Sequence, residues 1–200
     1  MGLRVGTGNN RHVALQGALT IDVEDWYQSY TGNTRQISER VVKNTERVLA
    51  ILDECDVKAT FFVLAEVVRH FPRLVQTIHQ CGHEIQSHGE HHVSIECWSR
   101  TKLVESLQRA RKMTEDVCGT RVRVYPAPYF SIRENNLWAL EAVSEAGFVA
   151  DSSIFPVRTR RYGTDVWPVA PSYVNLSRGA RLLELPVATA VWGNQRLPVG

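Results

Sequence analysis

Gly82 to His92, GHEIQSHGEHH, is the stretch on which the reading of the chain turns. Gly82 suits the end of a helix, His83 to Ser87 form a short buried strand, and the strand runs into a turn holding His88, His91 and His92. Imidazoles at i and i+4 just beyond a strand reach the same side of one turn, so His88 and His92 form half of a metal site. The alternative is a pair of surface histidines on a polar loop. His83, inside the strand, reads as a core or supporting group, and His91, one residue off the pair, as a rim histidine.

A third ligand has to come from elsewhere, and ALTID, 18–22, offers it. This apolar strand ends in Asp22, and Glu24 and Asp25 follow at once. Three acids in four residues repel one another unless a cation or a raised pKa relieves them. Glu24 lies two residues beyond Asp22 and so on the same side of an extended segment, whereas Asp25 reaches that side only if the loop bulges. Gly32 and Asn33 mark a loop, and Val41, Thr45, Val48 and Leu52 then give a helical stripe. KATFFVL, 58–64, is a second buried strand, which completes a β–α–β unit. A helix from Phe71 towards Cys81 begins at Pro72 and buries Leu74, Val75 and Ile78.

Downstream, Ser99 to Cys118 is the longest expected helix, with Leu103, Leu107, Ala110 and Val117 on one stripe. Arg121 to Tyr125 is a fourth strand, broken abruptly by Pro126, Ala127 and Pro128 of PAPYFSI. A helix through Leu137, Leu140 and Val143, a strand over Phe148 to Ala150 and the segment LLELPV, 182–187, complete the alternation. Strands alternating with helices, with acids and histidines just past the strand ends, indicate an α/β fold with a parallel, barrel-like sheet and one functional face. Two imidazoles and one carboxylate are a ligand set for zinc, with cobalt or nickel as alternatives, and a second carboxylate could serve as general base. Metal-assisted hydrolysis is the reaction class implied.

Composition narrows the partners. The 200 residues, 44% hydrophobic, suit one domain, expected over 18–200 behind a flexible lead-in at 1–17. With 23 basic against 21 acidic side chains, no net field argues for nucleic acid. The arginines Arg158, Arg160 and Arg161 read as a solvated face. No apolar run is long enough for a membrane span, and no signal-peptide core is seen, so a cytoplasmic location is expected. The cysteines Cys55, Cys81, Cys97 and Cys118 lack any CxxC pairing and are expected as reduced, mostly buried thiols.

In order along the chain, LTID with VED, ATFFV, GHEIQSHGEHH, PAPYFSI, DSSIFP and LLELPV resemble the motifs of the polysaccharide deacetylases, the family 4 carbohydrate esterases. The match covers roughly Ala18 to Pro186, and the DVEDW form is similar to a subgroup associated with bacterial exopolysaccharide and protein-sorting clusters. The resemblance implies a distorted, incomplete (β/α) barrel that removes acetyl groups from amino sugars of a polysaccharide or oligosaccharide with a divalent metal, zinc first. It puts Asp22 in the base position, where it would deprotonate the attacking water, and His88 and His92 in the two imidazole positions. Asp25 is preferred as the carboxylate ligand, with Glu24 as the alternative. Tyr129 would lend its backbone N–H to an oxyanion, beside Pro128, and Asp151 would shape the substrate groove. Trp167 and Trp192 are either core residues or sugar-stacking platforms.

Two departures accompany the resemblance. Pro126 stands where the family has an arginine that pairs with the catalytic acid. The histidine that the family's last motif supplies to the leaving amine has no counterpart after Pro186, and the chain reaches Gly200 in what resembles the middle of the domain, so a C-terminally shortened, impaired enzyme is expected. A catalytically silent carbohydrate-binding or structural relative and a hydrolase of cyclic amides are the competing readings.

Overall fold

A computed structural model describes residues 5–6, 17–30, 36–160, 162–193 and 195–199. The loop expected at Gly32–Asn33, most of the expected lead-in and Arg161 lie outside the described residues. The chain divides into two compact units, 14–93 with 106–123, and 1–13 with 94–105 and 124–200.

After a two-residue strand β1 (Val5–Gly6), the first of these units begins with β2 (Thr20–Val23). Two further strands, β3 (Thr60–Val63) and β4 (Glu84–Ser87), complete a parallel sheet in the order β2-β3-β4. Ile21 lies opposite Phe61, Asp22 opposite Phe62, and Val63 opposite Ser87, so the three C-terminal ends are level. The preceding short helix α1 (Trp26–Ser29) and the long α2 (Arg40–Glu54) lie between β2 and β3. Val41, Thr45, Leu49 and Leu52 recur at helical spacing and give α2 its buried stripe. Between β3 and β4 the chain forms two helices, α3 (Ala65–His70) and α4 (Pro72–Gln80), where the sequence pattern suggested one. Pro72 separates them, because a proline is tolerated in a first turn but not inside a helix. Leu74, Val75 and Ile78 are buried as expected, and Gly82 takes the left-handed turn after α4 with φ +80°. Phe61, Val63, Leu64, Val67, Val75 and Ile78 make the centre of this unit's core. Each such side chain contributes about 1.5–3 kcal/mol through burial.

The longest helix, α5 (Arg100–Cys118), supplies 106–118 to this unit and 100–105 to the other. Leu103, Leu107, Ala110 and Thr114 are its buried stripe. The strand expected over Arg121–Tyr125 is reduced to β5 (Val124–Tyr125). Its first residues find side-chain partners instead of a ladder: Val122 N–H donates to Glu115 Oε1 and Arg123 N–H to Gln86 Oε1.

The second unit holds helix α6 (Trp138–Glu145) and a mixed sheet. Strands β6 (Ala150–Asp151), β7 (Ser172–Asn175) and β8 (Arg181–Glu184) join β5 and β1 in the order β1-β7-β8-β6-β5. β5, β6 and β8 are parallel, whereas β7 runs antiparallel to β8 and β1 antiparallel to β7. The wholly parallel sheet expected from the alternation therefore holds for 20–87 and fails here. Ser172–Asn175 alternates weakly and returns to β8 through the short turn Ser177–Gly179 without a helix. A hairpin of β9 (Thr189–Trp192) and β10 (Gln195–Pro198) follows, and Trp192 on it is 81% exposed, so it is not a core residue.

All four cysteines are free, but Cys55, Cys81 and Cys97 are exposed and only Cys118 is buried, which corrects the expectation of mostly buried thiols. Cys55 and Cys81 cap the C-terminal ends of α2 and α4, where the chain turns into solvent. Among the described residues no helix is long and apolar enough to cross a membrane.

Candidate metal centre

The level ends of β2 and β4 place two chain segments side by side past the sheet. Asp22 Oδ2 and Glu24 Oε2 both approach His88 Nε2, so the two acids share a side, as alternation requires. On the other segment His88 N–H donates to the Val63 carbonyl, and Gly89, with φ +91°, turns the chain. The turn is fastened by Glu90, whose buried carboxylate accepts from Ser106 Oγ at 2.7 Å and from Arg109 Nη2 at 2.8 Å. Burial raises the Glu90 pKa, but Arg109 and Ser106 outweigh it and hold the group below its ordinary value.

Glu24, His88 and His92 converge, with donor atoms all within 4.8 Å of one another. Glu24 Oε2 lies 2.9 Å from His92 Nε2 and 3.6 Å from His88 Nε2. Both imidazoles are buried, and the His88 and His92 ring centroids are 5.3 Å apart. Burial raises the Glu24 carboxyl, yet the hydrogen-bonding and charge of His88 and His92 prevail and bring its pKa to about 2. Ligands bound at about 2.0–2.1 Å in a tetrahedron stand about 3.3 Å from one another. The two separations from Glu24 bracket that value, and two nitrogens with one oxygen are a donor set that zinc accepts, so these residues fit a divalent metal.

Asp22 stands beside this group, half exposed, with Oδ2 3.8 Å from His88 Nε2. Among the described residues no lysine or arginine nitrogen comes within 4.0 Å of its carboxylate. Asp25 does not join the histidines, which corrects the preference for it over Glu24. Its backbone is extended, with φ −85° and ψ 149°, so no bulge turns it toward Glu24's side. It is buried at the start of α1, where its N–H donates to Gln28 Oε1 and its Oδ2 accepts from the Ser38 N–H. The other two histidines of this stretch, His83 and His91, stand apart from the three donors. His83 is buried, and its Nδ1 accepts from the Ala59 N–H, with burial foremost and the Lys58 charge next in lowering its pKa. The His91 Nδ1–H donates to Glu66 Oε1 at 2.8 Å, and this bond is the main cause of its raised pKa. Glu66 itself was missed. The available signal was its place as a carboxylate three residues beyond β3, between the two strands already suspected.

Tyr129, Pro128 and Asp151 belong to the other unit. Pro128 to Phe130 form a single 3-10 turn, in which Tyr129 is 42% exposed and carries the uncommon φ of +59°. Asp151 lies directly opposite Glu184 across β6 and β8, and both are fully buried. Ser153 donates to it twice, from N–H to Oδ2 and from Oγ to Oδ1, each at 2.8 Å. Glu184 Oε1 accepts from the Ile154 N–H. Burial pushes Asp151 up to about 6, and burial together with the Asp151 charge pushes Glu184 well above the ordinary carboxylate range. The two facing carboxyls titrate as a pair, and both are pushed upward.

Residues 18–150 match the family model described as polysaccharide deacetylase. A peptidoglycan-N-acetylglucosamine deacetylase of Bacillus cereus is 31% identical over 98 residues, 48% of this chain and 36% of its own. A Mycobacterium smegmatis protein provisionally assigned to the polysaccharide deacetylases superposes with a TM-score of 0.67 at 25% identity, over 86% of this chain and 58% of its own. A Bacillus anthracis protein described as a CE4 family pseudoenzyme superposes at 0.50 with 26% identity, over 64% of this chain and 38% of its own. The chain spans less than half the length of the curated relatives it matches. The α/β fold class is that of these structures, whose incomplete (β/α) barrel the motif order anticipates. The chain belongs to the polysaccharide deacetylase family.

Proposed function

We propose that residues 18–200 form a polysaccharide deacetylase domain that hydrolyses the acetamide of an N-acetylated amino sugar with a divalent metal, zinc first and cobalt or nickel as substitutes. The observation that carries this reading is the convergence of Glu24, His88 and His92 beside the exposed carboxylate of Asp22. A metal held by the three would supply Lewis-acid charge to polarise the acetyl carbonyl. Asp22, accessible and on the ligands' side of the strand, takes the proton of the attacking water. Acetate leaves as the C–N bond breaks, and the sugar amine takes up a proton. The roles that the resemblance gives to Tyr129, as an oxyanion N–H donor, and to Pro128 and Asp151, as groove residues, belong to the same proposal. The exposed free thiols suit a reducing compartment, and the proposal includes a cytoplasmic location.

A second reading keeps the metal and loses the turnover. It is favoured by Pro126 in the position of the family's arginine and by the lack of a lysine or arginine near Asp22 among the described residues. A carboxylate without an orienting cation is a poorly positioned base. Acetate release from chitooligosaccharide and from peptidoglycan, measured with added zinc or cobalt, separates the two. Release that Asp22→Asn abolishes supports the enzyme; metal binding without release supports the silent relative.

A further inference from the structure

The middle strand of the three is the only one whose end was given no role by the sequence, yet it lies between the two segments that carry the candidate ligands. Beyond β3, Leu64 N–H donates to the Val23 carbonyl on one side, and Ala65 N–H donates to the Gly89 carbonyl on the other. One residue further, Glu66 repeats this division with its side chain. Oε1 accepts from His91 Nδ1 at 2.8 Å, and Oε2 accepts from Gln28 Nε2 at 2.6 Å. Gln28 Oε1 in turn accepts from the Asp25 N–H at 2.9 Å. Gln28 is fully buried and Glu66 is 7% exposed, so the Gln28 bond is shielded from water, whereas the His91 bond is part-buried.

We infer that Glu66 is a positioning residue that ties the segment carrying Glu24 to the turn carrying His88 and His92, and so sets the spacing of the metal centre. The inference rests on the reading of Glu24, His88 and His92 as ligands. Each oxygen of one carboxylate is tied to a ligand's neighbour, one directly and one through a hydrogen bond: His91 directly precedes His92, and Gln28 Oε1 holds the N–H of Asp25, which directly follows Glu24. A side chain with only one acceptor cannot satisfy both donors, and one with none releases both segments. The buried Gln28 donor left without an acceptor also favours rearrangement. Groups that support metal ligands from outside the coordination sphere typically change metal affinity about 10–100-fold when removed. Glu66 acts one residue further out, so the lower end of that range is expected.

The test is titration of the full chain with Co²⁺ alone, followed by its visible absorption, in wild type, Glu66→Gln and Glu66→Ala. Thr114→Ala is the control, since it removes a buried hydroxyl bonded to Ala110 on α5 and lowers stability without touching either segment. The expected result is a roughly tenfold loss of cobalt affinity and an altered absorption band at saturating metal for Glu66→Ala. Glu66→Gln, which keeps one acceptor, falls between it and wild type, and Thr114→Ala keeps the wild-type band. If Glu66→Ala does not fold, Glu66→Gln carries the same readout. Wild-type affinity and band shape in the folded Glu66 variants overturn this inference alone. Failure of the wild type to bind cobalt, or binding that survives His88→Ala with His92→Ala, overturns the metal reading and this inference with it.

Discussion

Two acid clusters stand at the C-terminal ends of strands in this protein, and they hold their carboxylates by opposite means. Glu24 faces two imidazoles and stays ionised, with a pKa near 2 despite its burial. Asp151 faces Glu184 with no lysine or arginine salt bridge among the described residues, and both are pushed upward. Backbone placement is similar in the two cases, so the difference lies in what the neighbouring strand presents. β4 delivers histidines next to β2's acids across β3, whereas β8 delivers a second acid to β6. The first arrangement suits a cation and the second a shared proton.

The comparison breaks most completely if the histidines are removed. His88→Ala with His92→Ala is expected to weaken zinc or cobalt binding by more than about 100-fold, since two of three ligands go. Glu184→Gln, altered in the other cluster, is expected to leave that affinity within about twofold. Isothermal titration of both variants measures this directly.

A finer effect separates neighbouring acids. Glu24→Gln is expected to lower metal affinity about 10–100-fold, and Asp25→Asn to leave it unchanged while lowering thermal stability through a weaker, uncharged bond to Ser38. Equal effects of the two would restore Asp25 as a ligand.

The pH dependence of the metal-free protein sharpens the contrast, because the clusters act in opposite directions. Glu24 has a folded pKa below its unfolded value, so its contribution is present above about pH 4.5 and is lost as the pH falls toward 2. Asp151 and Glu184 have folded values above their unfolded ones, so their contribution is full below about pH 4; that of Asp151 is lost as the pH rises through about 6, and that of Glu184 is lost in the same direction. Glu24→Gln should flatten the acid limb of the stability profile. Glu184→Gln, a neutral mimic of the protonated acid, should raise the unfolding temperature at pH 8 by about 5 °C. The smallest expected effect is that of Ser153→Ala, which removes one donor to Asp151 and the acceptor of the Ala127 N–H and costs about 1–2 kcal/mol in chemical denaturation.

These clusters also show what the sequence could convey. His88 and His92 were legible because strand and spacing alone bring them together. Asp22 and Glu24 were legible as same-side acids, but the choice between Glu24 and Asp25 depended on a bulge, and the extended backbone that decides it leaves no mark in the residue types. Glu66 and Gln28 were illegible, since their bonds join segments 25 to 38 residues apart. The parallel sheet over 20–87 followed from its apolar strands. The antiparallel β7 did not, because Ser172–Asn175 has mixed polarity and is held chiefly by its pairing with β8.

The central claim is that Glu24, His88 and His92 hold one divalent metal, and metal content of the purified protein tests it most directly. Elemental analysis after equilibration with zinc should find about one metal per chain in wild type and in Asp25→Asn, and almost none in Glu24→Ala or in His88→Ala with His92→Ala. Zinc absent from the wild type, or retained equally by all four proteins, would contradict the account.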